Sequence, residues 1–216
     1  MRIKDRLLTL RTPKKSKGPA LSVLAAAGCL LFGILLGVFA KWLDNLSLDS
    51  IVWWMRLIER LDLGNVFSTL GVWLLLALTI AIFSRTPVRA AVHTFLFFAG
   101  MCAAYHLYTI TFSGFAPTRY MLIWYALTAA SPLLAVLCWY AKGTHALSIV
   151  LDAVILAVLA SYCFSVGWLY FSFDGVLNAL FFLAAAVVLY SSPKQTAIAV
   201  VAGLALSFPL SGILPH

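Results

Sequence analysis

Charged side chains are scarce in this chain. Asp, Glu, Lys and Arg make up 10% of its 216 residues, against about 25% in a soluble domain, and hydrophobic residues make up 63%. This leaves too few polar side chains to cover a soluble core. Several apolar runs approach or exceed the about 18 residues that mark a membrane-spanning helix. The composition therefore predicts an all-α integral membrane protein that contacts the lipid bilayer.

Motifs for catalysis and nucleotide binding are also missing. The chain has no HExxH, no GxSxG, no phosphate-binding glycine loop and no paired-carboxylate motif. All four cysteines lie inside apolar runs, none forms a CxxC, and no His lies at ligand spacing from them. We therefore expect no metal, no cofactor and no disulfide framework, and an enzyme is the less favoured class.

The apolar runs predict a bundle of about seven transmembrane helices. A basic tail over 1–19 precedes a single transmembrane domain over 20–216. The predicted spans are 20–40, 66–83, 88–110, 120–140, 146–166, 175–190 and 195–213. Pro193 separates the last two spans, because proline blocks continuation of a helix.

Lysine and arginine are distributed unevenly between the two sides of these spans. With the N-terminus inside, seven of the fifteen bases lie in the tail and four more in inner loops, at Arg85, Arg89, Lys142 and Lys194. The outer side holds four, at Lys41, Arg56, Arg60 and Arg119. This positive-inside pattern predicts a cytoplasmic N-terminus and, with seven spans, an outer C-terminus. We expect the protein to lie in a bacterial plasma membrane. It also explains the +8 charge without nucleic acid, and the tail is suited to contact anionic lipid or to remain a disordered topology signal.

One long polar interruption, over 41–65, follows the first span. Ser47 or Asp49 is suited to cap a helix, and Gly64 is suited to end it. Apolar residues recur between them at helical spacing, at Ile51, Trp54, Met55, Ile58 and Leu61. We predict an external amphipathic interfacial helix near 47–63, between helices 1 and 2, with a re-entrant lid as the alternative.

Small residues four apart form one face of the first span, at Ala25, Cys29, Gly33 and Gly37. Such faces allow helices to approach closely in lipid. The face predicts packing within the chain, or a contact with a partner membrane protein or homodimer through Gly33 and Gly37.

Two ionisable residues fall inside predicted spans near the inner side. Asp152 lies about seven residues into the fifth span and His93 about five residues into the third. Ionisable groups in a membrane are costly and mark functional sites by default. Asp152 and His93 are therefore candidates for proton coupling, and a structural polar contact is the alternative.

Six of the seven tryptophans fall in the predicted outer half, whereas a plain aromatic belt occurs at both interfaces. This asymmetry predicts an outward-facing aromatic cavity. Its candidate binding residues are His106, Arg119, Trp54, Trp73, Trp124 and Tyr105. The alternative is an asymmetric belt without a ligand.

The leading functional hypothesis is a small multi-pass transporter or permease-like component for a small or amphiphilic solute. A non-catalytic subunit for assembly, immunity or sensing, which binds a partner, is the second hypothesis. The third is an intramembrane enzyme that acts on lipid, with His106 and Arg119 in its site.

Overall fold

The computed structural model describes residues 11–14, 18–46, 52–143, 145–167, 170–173 and 175–213. Its helices are α1 Pro19–Asp44, α2 Trp53–Arg60, α3 Leu63–Ser68, α4 Leu70–Phe83, α5 Pro87–Tyr108, α6 Thr118–Ala141, α7 Ala146–Cys163, α8 Val176–Leu189 and α9 Pro193–Leu210. A π-helical turn, Thr109–Ser113, continues α5. Two strands, β1 Phe164–Gly167 and β2 Tyr170–Phe173, pair as an antiparallel hairpin.

In the part of the chain that the structure describes, five helices are long and apolar enough to cross a bilayer: α1, α5 with its π-helical turn, α6, α7 and α9. The prediction of a helical membrane protein agrees with this architecture. Helices α4 and α8 are apolar but have 14 residues each. At 1.5 Å per residue each measures about 21 Å, which is shorter than the about 30 Å of bilayer hydrocarbon. The count of seven spans therefore stays a prediction.

The chain divides into two compact units. The first unit comprises residues 1–14, 69–90 and 135–216, and the second comprises residues 15–68 and 91–134. Helices α5 and α6 contribute residues to both units. The single transmembrane domain over 20–216 stays a prediction.

In the first unit, α7 and α9 pack closely through small residues. The buried face of α9 repeats every four residues, at Gln195, Ala199, Gly203 and Ser207. A Cβ atom added at Gly203 would lie 2.8 Å from Leu156 Cβ and 3.0 Å from the Ala153 carbonyl oxygen. Glycine is therefore required for this approach, as is common between helices in lipid.

The predicted glycine face of α1 packs inside the second unit. A Cβ atom at Gly33 would overlap the carbonyl oxygen of Phe97, and one at Gly37 would lie 2.5 Å from the carbonyl oxygen of Met101. The backbone of α5 thus covers both glycines, which are buried. This corrects the prediction of a homodimer or partner contact through Gly33 and Gly37, because the face is already occupied.

The fifth predicted span is shorter than expected. Helix α7 ends at Cys163, and the chain continues as β1 rather than as helix to residue 166. Phe164 pairs with Phe173 across the hairpin, and its ring also lies 5.3 Å from that of Phe182. Cross-strand aromatic contacts stabilise the hairpin, and a continuous apolar run does not distinguish this arrangement from one more helical turn.

The segment predicted as one interfacial helix, near 47–63, contains α2, and the chain turns at the end of that segment before α3 begins. Asp62 has a φ of 49°, a left-handed conformation that Asp tolerates better than most residues, and α2 and α3 lie on either side of it. Gly64 lies inside α3, so its predicted role as the helix stop was wrong. Ser47 and Asp49 lie outside the described residues. Trp53 and Leu57 are exposed beside Arg56 and Arg60, which suits a membrane surface, and the interfacial position stays a prediction.

Candidate functional site

Asp152 lies on the buried face of α7, in the first unit. It is only 2% exposed, and its Oδ1 atom has no hydrogen-bond partner among the described residues. Residues four apart share a helix face, and Ser148, four residues before Asp152, is buried on the same face. Asp152 follows the start of α7 by six residues, which places it about 9 Å along the axis. A buried carboxyl with an unpaired oxygen is costly and calls for a functional explanation.

The polar groups around the start of α7 are, in contrast, satisfied by hydrogen bonds. The Gln195 side chain donates to the Gly143 carbonyl oxygen at 3.1 Å, and the Ser148 hydroxyl donates to the Tyr140 carbonyl oxygen at 3.3 Å. Lys142 Nζ donates to the Val188 carbonyl oxygen at 2.8 Å, at the last turn of α8. We call this region the Lys142 end of the first unit. Asp152 is the exception within it.

Arg11 joins two helix ends at the Lys142 end. Its guanidinium donates to the carbonyl oxygens of Ile82 and Trp139, each at 2.8 Å, and lies 4.4 Å from the centre of the Trp139 ring. These carbonyls lie in the last turns of α4 and α6, where acceptors lack helical partners and a cation is favoured. The sequence indicated only a basic tail and carried no signal for this contact.

Burial and neighbouring charges shift the pKa of Lys142. Burial lowers the pKa of Lys142, and Arg11 lowers it further, whereas the Asp152 carboxyl opposes that shift. Burial also lowers the pKa of Arg11. Lys142 and Asp152 are therefore coupled electrostatically, although the ammonium of Lys142 donates to a backbone oxygen.

His93 lies on α5 in the second unit and is half-buried, whereas Asp152 belongs to the first unit. Its predicted pairing with Asp152 stays a prediction.

A second polar cluster lies where α1 ends, in the second unit. Lys41 is 7% exposed, and its Nζ atom lies 3.8 Å from Asp44 Oδ2. The hydroxyl of Tyr105 donates to that same oxygen at 2.7 Å. The ammonium also lies 5.4 Å from the ring centre of Tyr105 and 5.9 Å from that of Phe115. We call these four residues the Lys41 cluster.

Further aromatic residues and the π-helical turn adjoin the Lys41 cluster. The ring of Tyr120 lies 5.9 Å from that of Tyr105 and 6.4 Å from that of Trp124. The side chain of Asn45 donates to the Ser113 hydroxyl in the π-helical turn at 3.3 Å. Such turns within α-helices occur frequently at functional sites.

The structure brings only part of the predicted aromatic site together. Tyr105 belongs to the Lys41 cluster, and Trp124 adjoins it through Tyr120. His106 instead bonds the Tyr125 hydroxyl, and Arg119 is exposed.

Of the two remaining tryptophans, Trp54 stacks on Trp42 in the second unit. Trp73 is buried and belongs to the first unit. The predicted cavity that would unite all six residues stays a prediction. Sequence reasoning missed Lys41 and Asp44 as site residues, although their spacing of three at the end of an apolar run was a signal.

No protein-family model, no curated protein and no solved structure matches this chain.

Proposed function

We propose that this chain is a small multi-pass membrane transporter or permease-like component for a small or amphiphilic solute, with Asp152 as its proton-coupling residue. The observation that carries the proposal is the Oδ1 atom of Asp152, which has no hydrogen-bond partner among the described residues and belongs to a residue only 2% exposed. A proton is the smallest partner that removes the cost of an unpaired carboxylate in apolar surroundings. Among the described residues, no group of three or more His, Cys, Asp or Glu is placed to hold a metal ion.

The proposal includes an orientation, with the N-terminus in the cytoplasm of a bacterium and the C-terminus outside. The Lys142 end of the first unit would then face the cytoplasm, since basic residues accumulate on that side. Two contacts of the tail support this arrangement. Arg11 bonds the ends of α4 and α6, and the backbone N–H of Lys14 donates to the Arg85 carbonyl oxygen at 2.9 Å.

Electrical measurement on a solid-supported membrane tests the proposal. Proteoliposomes with wild-type protein or with Asp152→Asn would receive a panel of amphiphilic cations, amino acids and organic acids under an imposed pH gradient. We expect a solute-dependent current with the wild type and none with Asp152→Asn. Asparagine has almost the size of aspartate but does not exchange a proton, so the variant should remain folded and monodisperse.

Two results would contradict this assignment. A current that Asp152→Asn leaves unchanged would mean that Asp152 does not carry the proton. A variant that fails to fold would indicate that Asp152 holds helices together. Asp44→Asn, in the second unit, is the matched control, because it removes a carboxylate that already accepts a hydrogen bond from a hydroxyl group. This variant should keep the wild-type current.

A second candidate function, a subunit that binds a partner membrane protein, is favoured by the exposure of α1. In the most apolar 18-residue window of each helix, 17% of α1 is buried within the chain, against 50% of α7. A photo-cross-linking residue at Leu31 or Leu35 should then capture one defined protein, whereas the same residue at exposed Leu133 on α6 should not. Capture of lipid alone at all three positions would count against a partner.

A further inference from the structure

Among the described residues, the ammonium of Lys41 has no hydrogen-bond acceptor. It carries three N–H donors, yet its closest carboxylate oxygen, Asp44 Oδ2, lies at 3.8 Å, beyond the about 3.2 Å that a hydrogen bond allows. That oxygen already accepts the hydroxyl of Tyr105. Within the part of the chain that the structure describes, the contacts of Lys41 are this long ion pair and two aromatic rings.

Lysines near the ends of spanning helices usually extend their charge into water. Lys41 lies in the last turn of α1, but only 9% of its side chain is exposed. The rings of Tyr105 and Phe115 compensate part of the cost of burial through cation–π attraction. The ring faces supply no oxygen to the N–H donors, and the Tyr105 hydroxyl is hydrogen-bonded to Asp44. The cluster is therefore suited to an anionic acceptor from outside the chain.

The surroundings of Lys41 indicate the kind of anion. Phe115, whose ring centre lies 5.9 Å from the ammonium, is 55% exposed, and Tyr120, whose ring lies beside that of Tyr105, is 44% exposed. Aromatic surface next to the cluster therefore remains uncovered by the chain. The end of a spanning helix is also where phospholipid headgroups lie. A ligand with an anionic oxygen at one end and a hydrocarbon chain at the other would satisfy Lys41 and cover these rings.

We propose that the Lys41 cluster binds the headgroup of an anionic phospholipid, with a phosphate oxygen accepting hydrogen bonds from the Lys41 ammonium and an acyl chain against Phe115 and Tyr120. This site differs from the basic tail, which would attract the same lipids by charge alone. The inference does not depend on the proposed transport function, since lipid binding is measured without any solute.

Native mass spectrometry of delipidated protein in detergent tests the inference. The probes are dioleoyl phosphatidylglycerol, dioleoyl phosphatidylcholine and inorganic phosphate. We expect one phosphatidylglycerol to bind the wild type at least tenfold more tightly than it binds Lys41→Met. Arg56→Gln is the matched control, because it removes one exposed positive charge from the same unit, and its affinity should stay within twofold of the wild type.

Asp44→Asn distinguishes a lipid site from a structural ion pair. It removes the negative charge that repels the phosphate and keeps an oxygen for the Tyr105 hydroxyl, so phosphatidylglycerol should bind several-fold more tightly. The inference would be overturned if phosphatidylglycerol bound Lys41→Met and the wild type with equal affinity. It would also be overturned if inorganic phosphate, at the same concentration as the lipid, displaced phosphatidylglycerol. If Lys41→Met does not fold, the Asp44→Asn variant decides the matter: unchanged or weaker binding of phosphatidylglycerol by that variant overturns the inference.

Discussion

Gly33→Ala in α1 tests most directly whether the glycine face packs inside the chain. The added Cβ atom would overlap the carbonyl oxygen of Phe97, and the amide nitrogen of Met101 lies only 3.1 Å from its position. Both obstacles are backbone atoms of α5, so rotation of a side chain does not relieve the overlap. The two helices have to separate, and the contacts along their interface weaken.

The magnitude follows from two opposing effects. Overpacking of a close interface costs about 1–3 kcal/mol, and here the obstacle is rigid, so the upper part of that range applies. Replacing a helical glycine by alanine returns roughly 0.5–1 kcal/mol. We therefore expect Gly33→Ala to lower the free energy of unfolding by about 2 kcal/mol.

Gly28→Ala is a matched control in the same helix. No atom lies within 4 Å of a Cβ atom added at Gly28. Only the helix-propensity effect remains, so this variant should be stabilised by roughly 0.5–1 kcal/mol. The two substitutions are chemically identical, and the difference of about 3 kcal/mol between them comes from the α1–α5 contact.

Reversible unfolding in mixed detergent micelles, followed by circular dichroism, measures both variants. Equal unfolding free energies for Gly33→Ala and Gly28→Ala would refute the packing described here. A Gly33→Ala variant that keeps the wild-type stability but loses an oligomer on gel filtration would restore the homodimer hypothesis. Monomeric behaviour of all three proteins, with only Gly33→Ala destabilised, is the expected result.

Two further predictions concern the Lys142 end of the first unit. Arg11→Met should lower the unfolding free energy by about 1–3 kcal/mol, because the substitution removes two hydrogen bonds from a charged donor and the stacking of the guanidinium on Trp139. Lys14→Met is the control: it leaves the backbone bond of Lys14 to Arg85 intact and should change the unfolding free energy little. For Lys142, burial lowers the pKa in the folded protein below the ordinary 10.5, so the unfolded chain binds more protons between the two pKa values. The unfolding free energy should therefore rise with pH in that interval, relative to Lys142→Met. Parallel pH profiles for the wild type and Lys142→Met would contradict this sign.

Asp152 illustrates how far a linear reading of the chain extends. Its position inside an apolar run indicated a buried carboxyl, and the structure places it on the buried face of α7. The run did not indicate that Oδ1 lacks a hydrogen-bond partner among the described residues. That depends on the side chains of Lys142, Ser148 and Gln195 donating to backbone oxygens instead. The pairing of Asp152 with His93 stays a prediction.

Composition and apolar run length by themselves predicted a helical membrane protein, because a bilayer accepts only long apolar segments whose backbone bonds are satisfied internally. The five long apolar helices among the described residues agree with that prediction. Only the tertiary structure decided that Gly33 faces α5 and that Lys41 is buried beside Tyr105. It also showed that α7 ends where the β1–β2 hairpin begins. These features depend on residues distant in the chain, and a local pattern of polarity contains no information about which distant backbone or ring will cover a given side chain.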